Sequence, residues 1–495
     1  MRKQVLFGAA LLALGTAVVS CSKDEVVVDK TPGVETPVAE GEQEIVLQVA
    51  NTGDGLETRA GRPLFSSEAK QSIEKVRVVI VQTTNKTSNG KQDQVVAVKE
   101  FTDWMGSSTV YGPSSSEGHG RQATWKLVGD ERVAKGESFR VYAVGYTKSN
   151  SLYTKGITAF ESLNTGAGNS FGRWFNSTIN TENGLGEEIF AGEIASISTD
   201  ENTGDFVLTT GNTNNILTLH RQVAGAMGYF TSIPVYKVGD TYSKIDNLTG
   251  YTLRLISSNL SDQIVLTNFN SDFVNTGDGV EFIVNGYKKN LTSATIDFYE
   301  SDASKPLSYD GYEVFSIDLS KWFPNGDVNG DGLLDEGDIV NTGDWDTPAS
   351  VEGASFKPGS VFAGTFLIPF AKVVGHQTLQ LQLVNNSSTV IRVWNINLPS
   401  DDKQVAPEAG HALIWNGIAS VAKAGFEKSA EMGAGENVNH YSIVRNHLYT
   451  IGEKTSDAYD PENPGTDIPE DLSKGQNLVL KVNDNWELIH KMEVE

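Results

Sequence analysis

"EIVLQVANTGDGLETRAG", residues 44–61, decides how the first part of the chain is read. Ile45, Leu47 and Val49 alternate with other residues, which is the period of two expected of a β-strand with one apolar face. The Asn, Thr, Gly and Asp residues that follow are typical of a turn, and Arg59 and Ala60 come directly after it. The stretch therefore predicts a strand that is attached to the rest of the chain by a loop carrying an exposed arginine.

The rest of the 495-residue chain is also typical of β-structure. β-Branched and aromatic runs such as residues 75–82, 139–146 and 379–384 are separated by Gly, Ser, Thr and Asn clusters. No fixed-period repeat is visible, which argues against a propeller or a solenoid. We predict an all-β protein, and its length indicates roughly two to three domains.

Charge and motif content argue against two classes of function. The formal net charge is −24, whereas nucleic-acid-binding proteins present a basic face. The seven histidines lie in no HExxH or triad-like motif, and the chain has a single cysteine. We expect neither a nucleic-acid partner nor enzymatic activity. The stretches "RWFN" and "SKWFPNG" fit either a carbohydrate-binding platform or buried tryptophans.

The N-terminus resembles the signal of a bacterial lipoprotein. Arg2 and Lys3 precede an apolar run over residues 5–19, and "VVSC" ends it at Cys21. Such a run is short for a membrane span and fits a signal peptide. The resemblance implies cleavage before Cys21 and a diacylglycerol anchor on its thiol. The alternative is an ordinary buried cysteine at the end of a core helix.

The C-terminus is a second strand-like segment behind a polar linker. The linker, residues 455–476, is rich in Pro, Gly and acidic residues. Apolar residues of one parity follow it: Leu478, Leu480, Val482, Trp486, Leu488, Met492 and Val494. A strand with one apolar face needs a sheet to join, so this tail either folds back onto its own domain or joins the sheet of another molecule.

Residues 327–338, "DVNGDGLLDEGD", have the spacing of a calcium loop. Positions 1, 3, 5, 7, 9 and 12 of such a loop supply oxygen ligands, and position 6 is a glycine at a sharp turn. Here Gly332 stands at position 6, and the candidate ligands are Asp327, Asn329, Asp331, Leu333 (through its carbonyl), Asp335 and Asp338. The loop either binds a structural Ca²⁺ or is an acidic turn without an ion.

An ordered set of motifs over the whole chain resembles the fimbrillins, the type V pilus subunits made as outer-membrane lipoproteins. Besides the signal ending at Cys21 and the strand leading into "TRAG", the set comprises "LTLHRQVAGAM" (217–227), "SIVRNHLYTIGEK" (442–454) and "VNDNWELIHKMEVE" (482–495). The resemblance implies two tandem transthyretin-like β-sandwich domains and a donor-strand tail. The implied segments are a signal peptide (1–21), a propeptide (22–59), two domains (60–213 and 214–455, the second carrying the calcium-loop insertion), and a linker with donor strands (456–495).

The resemblance also implies a function. In fimbrillins an arginine-specific protease cuts such a loop at the cell surface, and the lipid anchor leaves with the first strand. The matching bond here joins Arg59 to Ala60, because Pro63 protects the bond after Arg62. The tail of another copy, or of a related fimbrial subunit, then replaces the lost strand and builds an extracellular fimbrium. Because both the arginine and the tail are present, we expect a stalk subunit. The alternatives are a tip or accessory subunit, and a non-polymerising surface lipoprotein that binds glycan or protein.

Overall fold

The computed structural model describes residues 43–49, 73–104, 110–111, 121–146, 160–166, 178–180, 185–186, 188–207, 216–261, 263–265, 286–287, 295–300, 302–351, 354–370, 373, 375–397, 413–415, 426–428, 443, 445–454, 459–462, 467–474, 477–479 and 481–483. These residues belong to one compact unit that extends from Gly41 to Glu495. Within the described ranges, none of the helices has the length and hydropathy needed to span a bilayer.

Strands dominate the first half of the described chain. They are β1 (Gln43–Val49), β2 (Lys75–Gln82), β3 (Val95–Phe101), β4 (Val110–Tyr111), β5 (Arg121–Leu127), β6 (Ser138–Tyr146), β7 (Thr178–Asn180), β8 (Leu185–Gly186), β9 (Ile189–Thr199), β10 (Phe206–Val207) and β11 (Ile216–Arg221). A single turn of 3₁₀-helix, Gly129–Glu131, lies between β5 and β6.

Strands dominate the second half as well, which confirms the prediction of an all-β protein. They are β12 (Ala224–Thr231), β13 (Ile233–Pro234), β14 (Thr252–Ser257), β15 (Gln263–Val265), β16 (Gly286–Tyr287), β17 (Ile296–Tyr299), β18 (Pro306–Asp318), β19 (Leu333–Leu334), β20 (Ser360–Leu367), β21 (Leu379–Val384), β22 (Val390–Asn397), β23 (Leu413–Trp415), β24 (Phe426–Lys428), β25 (Leu448–Ile451), β26 (Glu470–Asp471), β27 (Asn477–Val479) and β28 (Lys481–Asn483). The helices here are α1 (Leu319–Trp322) and the 3₁₀ turns Glu336–Asp338 and Ala349–Val351.

The strands of the first half form one large sheet in the order β3-β2-β6-β9-β11-β1-β5-β4, and β10 pairs with β9. Its strand β2 has five apolar residues out of eight, four of them consecutive (78–81), and both faces of this strand are buried. Val78 and Ile80 point into one cluster of buried side chains, and Val79 and Val81 point into another. A continuous apolar run, rather than an alternating one, is what such a doubly covered strand needs.

The second half contributes two six-stranded sheets. One has the order β28-β25-β12-β20-β8 with β26 beside β12, and the other has the order β17-β18-β14-β21-β22-β27. Smaller sheets pair β13 with β19, β23 with β24, and β15 with both β7 and β16. Two of these sheets therefore contain strands from both halves, since β8 joins β20 and β7 joins β15.

The core consists mainly of two clusters of buried side chains. The smaller one lies under β1, β2, β5, β6, β9 and β11. The larger one contains the opposite faces of β2 and β6 together with the apolar faces of the second-half sheets, and Trp322 from the "SKWFPNG" stretch is buried in it. The division into domains at residues 213 and 214 stays a prediction.

Candidate strand-exchange site

β1 lies in the interior of the first sheet, between β5 and β11. It runs antiparallel to β5, where Ile45 is opposite Trp125 and Leu47 is opposite Ala123. It runs parallel to β11, where Leu47 is opposite Leu217. The strand is thus paired on both edges, although only the segment that follows it connects it to the later strands.

The inward side chains of β1 fill an apolar groove. Ile45 and Leu47 are fully buried, and so are Leu127 and Leu217 beside them. Burying a side chain of this size is worth about 1.5 to 3 kcal/mol. If β1 left, the groove would open and the facing edges of β5 and β11 would carry unpaired N–H and C=O groups. Such an edge is a template for another strand. We call the place that β1 fills the β1 site.

One end of the β1 site is polar. The Nε2 amide of Gln43 donates to the carbonyls of Val133 (3.1 Å) and Gly204 (2.6 Å), and its Oε1 accepts from the N–H of Val133 (2.8 Å). The Gln43 side chain is fully buried. Sequence reasoning missed this residue, because a glutamine before an apolar strand gives no signal when its partners are backbone groups far along the chain.

Glu137, four residues after Val133, binds the loop between β2 and β3. Its carboxylate accepts hydrogen bonds from the backbone of Lys86 (2.8 Å) and Thr87 (2.6 Å) and from the hydroxyls of Thr84 (2.8 Å) and Thr87. Burial acts to raise the pKa of Glu137, but the bonds from Thr87, Thr84 and Lys86 outweigh it and lower this pKa to about 2. The carboxylate therefore stays ionised and holds residues 84–87 against the end of β6.

A buried ion pair lies at the C-terminal end of β11. Arg221 donates from Nε (3.0 Å) and Nη2 (2.7 Å) to one carboxylate oxygen of Glu188. Both side chains are almost completely buried, at 0% and 1% exposure, and the guanidinium lies over the Phe190 ring at 5.0 Å. Arg221 in the "LTLHRQVAGAM" motif therefore has a packing role, since it ties β11 to the start of β9.

The outward face of β1 is weakly held by comparison. Glu44 and Lys126 form an ion pair at 3.5 Å, with 35% and 52% of their side chains exposed. Pairs this exposed contribute about 0.2 to 1 kcal/mol. Recognition of β1 by its site therefore depends on the inward side chains, which are Gln43, Ile45 and Leu47.

Several predicted residues fall outside the described part of the chain. They are Cys21, Arg59, Ala60, Leu480, Trp486, Leu488, Met492 and Val494. For Val49 and Val482 the structure gives the backbone pairing, which is with Leu219 on β11 and with Tyr449 on β25. Lipidation at Cys21, cleavage after Arg59 and release of β1 stay predictions.

The beginning of the tail lies on its own molecule. β27 runs parallel to β22, and β28 runs antiparallel to β25. Leu478, the first predicted donor residue, is 2% exposed in this arrangement. Of the two alternatives left open for the tail, residues 477–479 and 481–483 thus adopt the first here, and insertion into another molecule stays a prediction.

The segment before these strands is anchored by specific contacts. Lys454 and Asp467 form a buried ion pair at 2.9 Å, with exposures of 2% and 3%. The indole N–H of Trp394 donates to the carbonyl of Leu472 at 3.2 Å, and the Leu472 side chain is buried. Asp467 and Leu472 therefore fix the route of the chain up to the tail.

The predicted calcium loop closes on itself through backbone hydrogen bonds. Asp327 accepts from the N–H groups of Gly330 (2.7 Å) and Gly332 (2.9 Å) and from the Tyr242 hydroxyl. Asp338 accepts from the N–H groups of Asn329 (3.2 Å) and Asp335 (3.1 Å). Gly332 has a φ of +89°, as the sharp turn at position 6 requires.

The other candidate ligands of the loop bond locally. Asn329 accepts from the N–H of Asp331, Asp331 accepts from the N–H of Leu333, and Asp335 accepts from the N–H of Gly337. β19, which contains Leu333, pairs with β13. Burial, with a contribution from the charge of Asp327, raises the pKa of Asp338 to about 6. Among the described residues, no group of three or more His, Cys, Asp or Glu side chains has a geometry that could hold a metal ion.

Comparisons with known proteins give only structural likenesses. No protein-family model matches the chain, and no curated protein matches it. The structure is similar to that of the tip fimbrial protein Mfa3 from Porphyromonas gingivalis with C-terminal truncation, at 10% identity and a TM-score of 0.31, over 82% of this chain and 93% of that one. It is similar to a fimbrilin (fimA) from the same species at 11% identity and a TM-score of 0.30, over 88% and 96% of the two chains. Both of these solved structures are of fimbrial proteins.

Proposed function

We propose that this protein is a structural pilus subunit that polymerises by strand exchange after cleavage at Arg59. The observation that carries the proposal is the place of β1: an N-terminal strand in the interior of its sheet, with Arg59 in the segment that joins it to β2. Cutting that segment leaves no covalent bond between β1 and the remaining strands. A single cleavage therefore converts a filled site into one that β1 can leave.

The β1 site has the chemistry of an acceptor for another strand. An incoming strand restores the backbone hydrogen bonds of β5 and β11, and its inward side chains refill the groove around Trp125 and Leu217. Refilling the groove recovers the burial energy of several aliphatic side chains. Because a groove on one subunit takes a strand from the next, the contact repeats head to tail and builds a filament.

The tail is the donor in this proposal, and strand exchange begins only when the lipid anchor has been removed. The lipoprotein precursor is held in the outer membrane through Cys21 until the protease removes residues 22–59 together with the anchor. Its partners afterwards are other copies of itself and related fimbrial subunits. Since the chain contains both Arg59 and an alternating tail, it fits the stalk of the fimbrium, where each subunit gives and receives a strand.

Limited proteolysis tests the proposal. The protein from Ser22 onward, which contains the whole compact unit, is treated with a low dose of trypsin, and the new N-terminus and the size distribution are followed. We expect cleavage after Arg59 to convert monomer into ladders that resist SDS. The matched controls are Arg59→Ala, which keeps its tail but cannot be cut there, and a variant truncated after Gly475. Both are expected to remain monomeric.

The cis position of the tail favours one alternative function. Because β27 and β28 already pair within their own molecule, the protein could keep its tail and act as a non-polymerising surface lipoprotein that binds glycan or protein. A protein that is cut after Arg59, stays monomeric and keeps residues 477–483 protected from proteases would favour this alternative over the pilus subunit.

We also propose a structural Ca²⁺ for the loop 327–338. Support comes from the ligand spacing, from the turn at Gly332, and from two buried carboxylates, Asp327 and Asp338, on one loop. As they lie in the described loop, the acidic side chains do not form a metal-binding group, so binding would have to turn Asp331 and Asp335 from their backbone partners toward the ion. The ion would neutralise these charges and pin the loop to β13. Thermal melting with Ca²⁺ and with EDTA tests this: we expect a higher melting temperature with Ca²⁺, and we expect Asp331→Ala to abolish the difference. Equal melting temperatures would leave the loop as an acidic turn.

A further inference from the structure

The chain contains a second segment that resembles β1 in sequence. Residues 43–49 read QEIVLQV and residues 476–482 read QNLVLKV. Without any gap, four of the seven positions are identical, and a fifth exchanges Ile45 for Leu478. The identical pairs are Gln43 with Gln476, Val46 with Val479, Leu47 with Leu480, and Val49 with Val482.

The two other differences fall on the outward parity of the strand. Glu44 corresponds to Asn477, and Gln48 corresponds to Lys481. Glu44 forms an exposed pair with Lys126. On the parity of Gln43, Ile45 and Leu47, both segments therefore have a glutamine followed by three aliphatic residues. A site that contacts only one face of a strand requires similar residues at every second position, since side chains alternate between the two faces.

The glutamine is the informative position. The β1 site ends in three backbone groups, the N–H and C=O of Val133 and the C=O of Gly204, which the Gln43 amide satisfies together. An aliphatic residue there would leave these groups without their partner, and buried unsatisfied groups are strongly disfavoured. A primary amide with both a donor and an acceptor fits all three, and Gln476 carries that amide.

We propose that residues 476–482 of a second copy of this chain fill the β1 site in the direction and register of β1, with Gln476 in the place of Gln43. The proposal rests on the proposed strand exchange and adds to it the segment, the direction and the residue that selects the register. The donor then runs parallel to β11 and antiparallel to β5. Asn477 lies opposite Lys126, and Lys481 lies opposite Gln122.

The structure adds a constraint on the neighbouring subunit. The anchor at Leu472 precedes Gln476 by four residues, which span at most about 14 Å. While that anchor holds, the acceptor groove of the neighbour must lie within this distance. The same segment pairs in cis through β27 and β28, so it leaves β22 and β25 when it enters the β1 site of the neighbour.

Disulfide trapping measures the register directly. The chain from Ser22 onward contains no cysteine, so introduced pairs give a clean result. Opposite residues of antiparallel strands have Cα atoms about 4.5 to 5.5 Å apart, within the range that a disulfide bridges. We expect Asn477→Cys combined with Lys126→Cys to link the subunits of the cleaved ladder covalently. The matched control, Asn477→Cys combined with Gln122→Cys, links only if the donor runs in the opposite direction. Arg59→Ala in each background keeps the site filled by β1.

The outcomes separate the register from the polymerisation. A ladder that links through residues 477 and 126 supports the proposal. A ladder that links only through residues 477 and 122 overturns it in favour of a donor that runs in the opposite direction. A ladder that links through neither pair overturns it in favour of another part of the tail as the donor. Both results leave strand exchange intact. Absence of any ladder after cleavage overturns strand exchange, and the register proposal with it.

Two glutamine variants test the role of the amide. We expect Gln476→Ala to shorten the lifetime of the ladder in urea about tenfold, whereas Lys481→Ala, on the outward parity, leaves it unchanged. Gln43→Ala is expected to destabilise the uncleaved monomer. It should leave the lifetime of the ladder unchanged, because β1 is absent from the ladder. An unaltered ladder lifetime for Gln476→Ala would overturn the role of the amide.

Discussion

β1 and β14 hold similar positions in different sheets, but the chain retains them differently. Each is an interior strand with neighbours on both edges: β5 and β11 for β1, and β18 and β21 for β14. Each points leucines into a core, and Leu47 and Leu253 are both fully buried. Judged by burial and pairing alone, the two strands are held equally firmly in their sheets.

The difference lies in the order of the chain. β14 has described strands before and after it, so it can leave its sheet only if the protein unfolds. β1 precedes all other described strands, and the segment with Arg59 is its only connection to them. Removability is therefore a property of chain topology rather than of weak packing. A strand can be essential to the core and still be exchangeable after one cut.

The largest effect should come from the wall of the β1 site rather than from its occupant. Arg221→Met removes the cation that faces the buried Glu188 carboxylate, and breaking a buried pair in this way costs about 3 to 5 kcal/mol. Urea unfolding should show this loss both before and after cleavage at Arg59. Adding Glu188→Leu to Arg221→Met should recover most of it. An effect restricted to the uncleaved protein would mean that β11 depends on β1 for its position.

Two matched leucines test the comparison itself. Leu47→Ala and Leu253→Ala each remove a fully buried side chain, and we expect each to lower the free energy of unfolding of the uncleaved protein by about 2 to 5 kcal/mol. In the assembled ladder, Leu253→Ala should keep its effect and Leu47→Ala should lose it, because β1 is no longer present. Urea denaturation of both forms measures this. A persistent effect of Leu47→Ala would show that β1 stays bound after cleavage.

The sequence predicts the local character of these strands but not their neighbours. The alternation of Ile45 and Leu47 correctly indicates a strand with one buried face. Its insertion between β5 and β11 depends on pairings such as Val46 with Ile216, and no local pattern carries that information. In the same way, the apolar run 75–82 predicts a strand, but a second cluster of side chains on its other face is a tertiary property.

Polar positions were the hardest to predict from the sequence. Gln43 and Glu137 bond to backbone groups of distant loops, and backbone groups are present at every residue. The tail shows the same limit: its alternation predicts a strand, yet a face of aliphatic residues fits any open sheet edge. Gln476, which repeats the glutamine of β1, does discriminate between possible acceptor sites, because an amide in a fixed register matches few of them.

Acid should loosen the contact between Glu137, directly before β6, and residues 84–87. The pKa of Glu137 is lowered to about 2 from an ordinary value near 4.5, so this carboxylate stabilises the folded state above pH 4.5. Its contribution declines as the pH falls through about 2. We expect the urea midpoint of the protein to fall over this range, and Glu137→Gln to flatten that fall while lowering the midpoint at neutral pH. An unchanged acid profile in Glu137→Gln would assign the acid sensitivity to other carboxylates.

The smallest effect is expected on the outward face of β1. Lys126→Ala removes the exposed pair with Glu44, which contributes about 0.2 to 1 kcal/mol and is screened by salt. The uncleaved protein should lose at most this amount, and added salt should remove the difference. In the proposed register Asn477 replaces Glu44, so Lys126→Ala should leave ladder stability unaltered. A clear loss of ladder stability would mean that an acidic residue of the donor faces Lys126, which would place a different part of the tail in the β1 site.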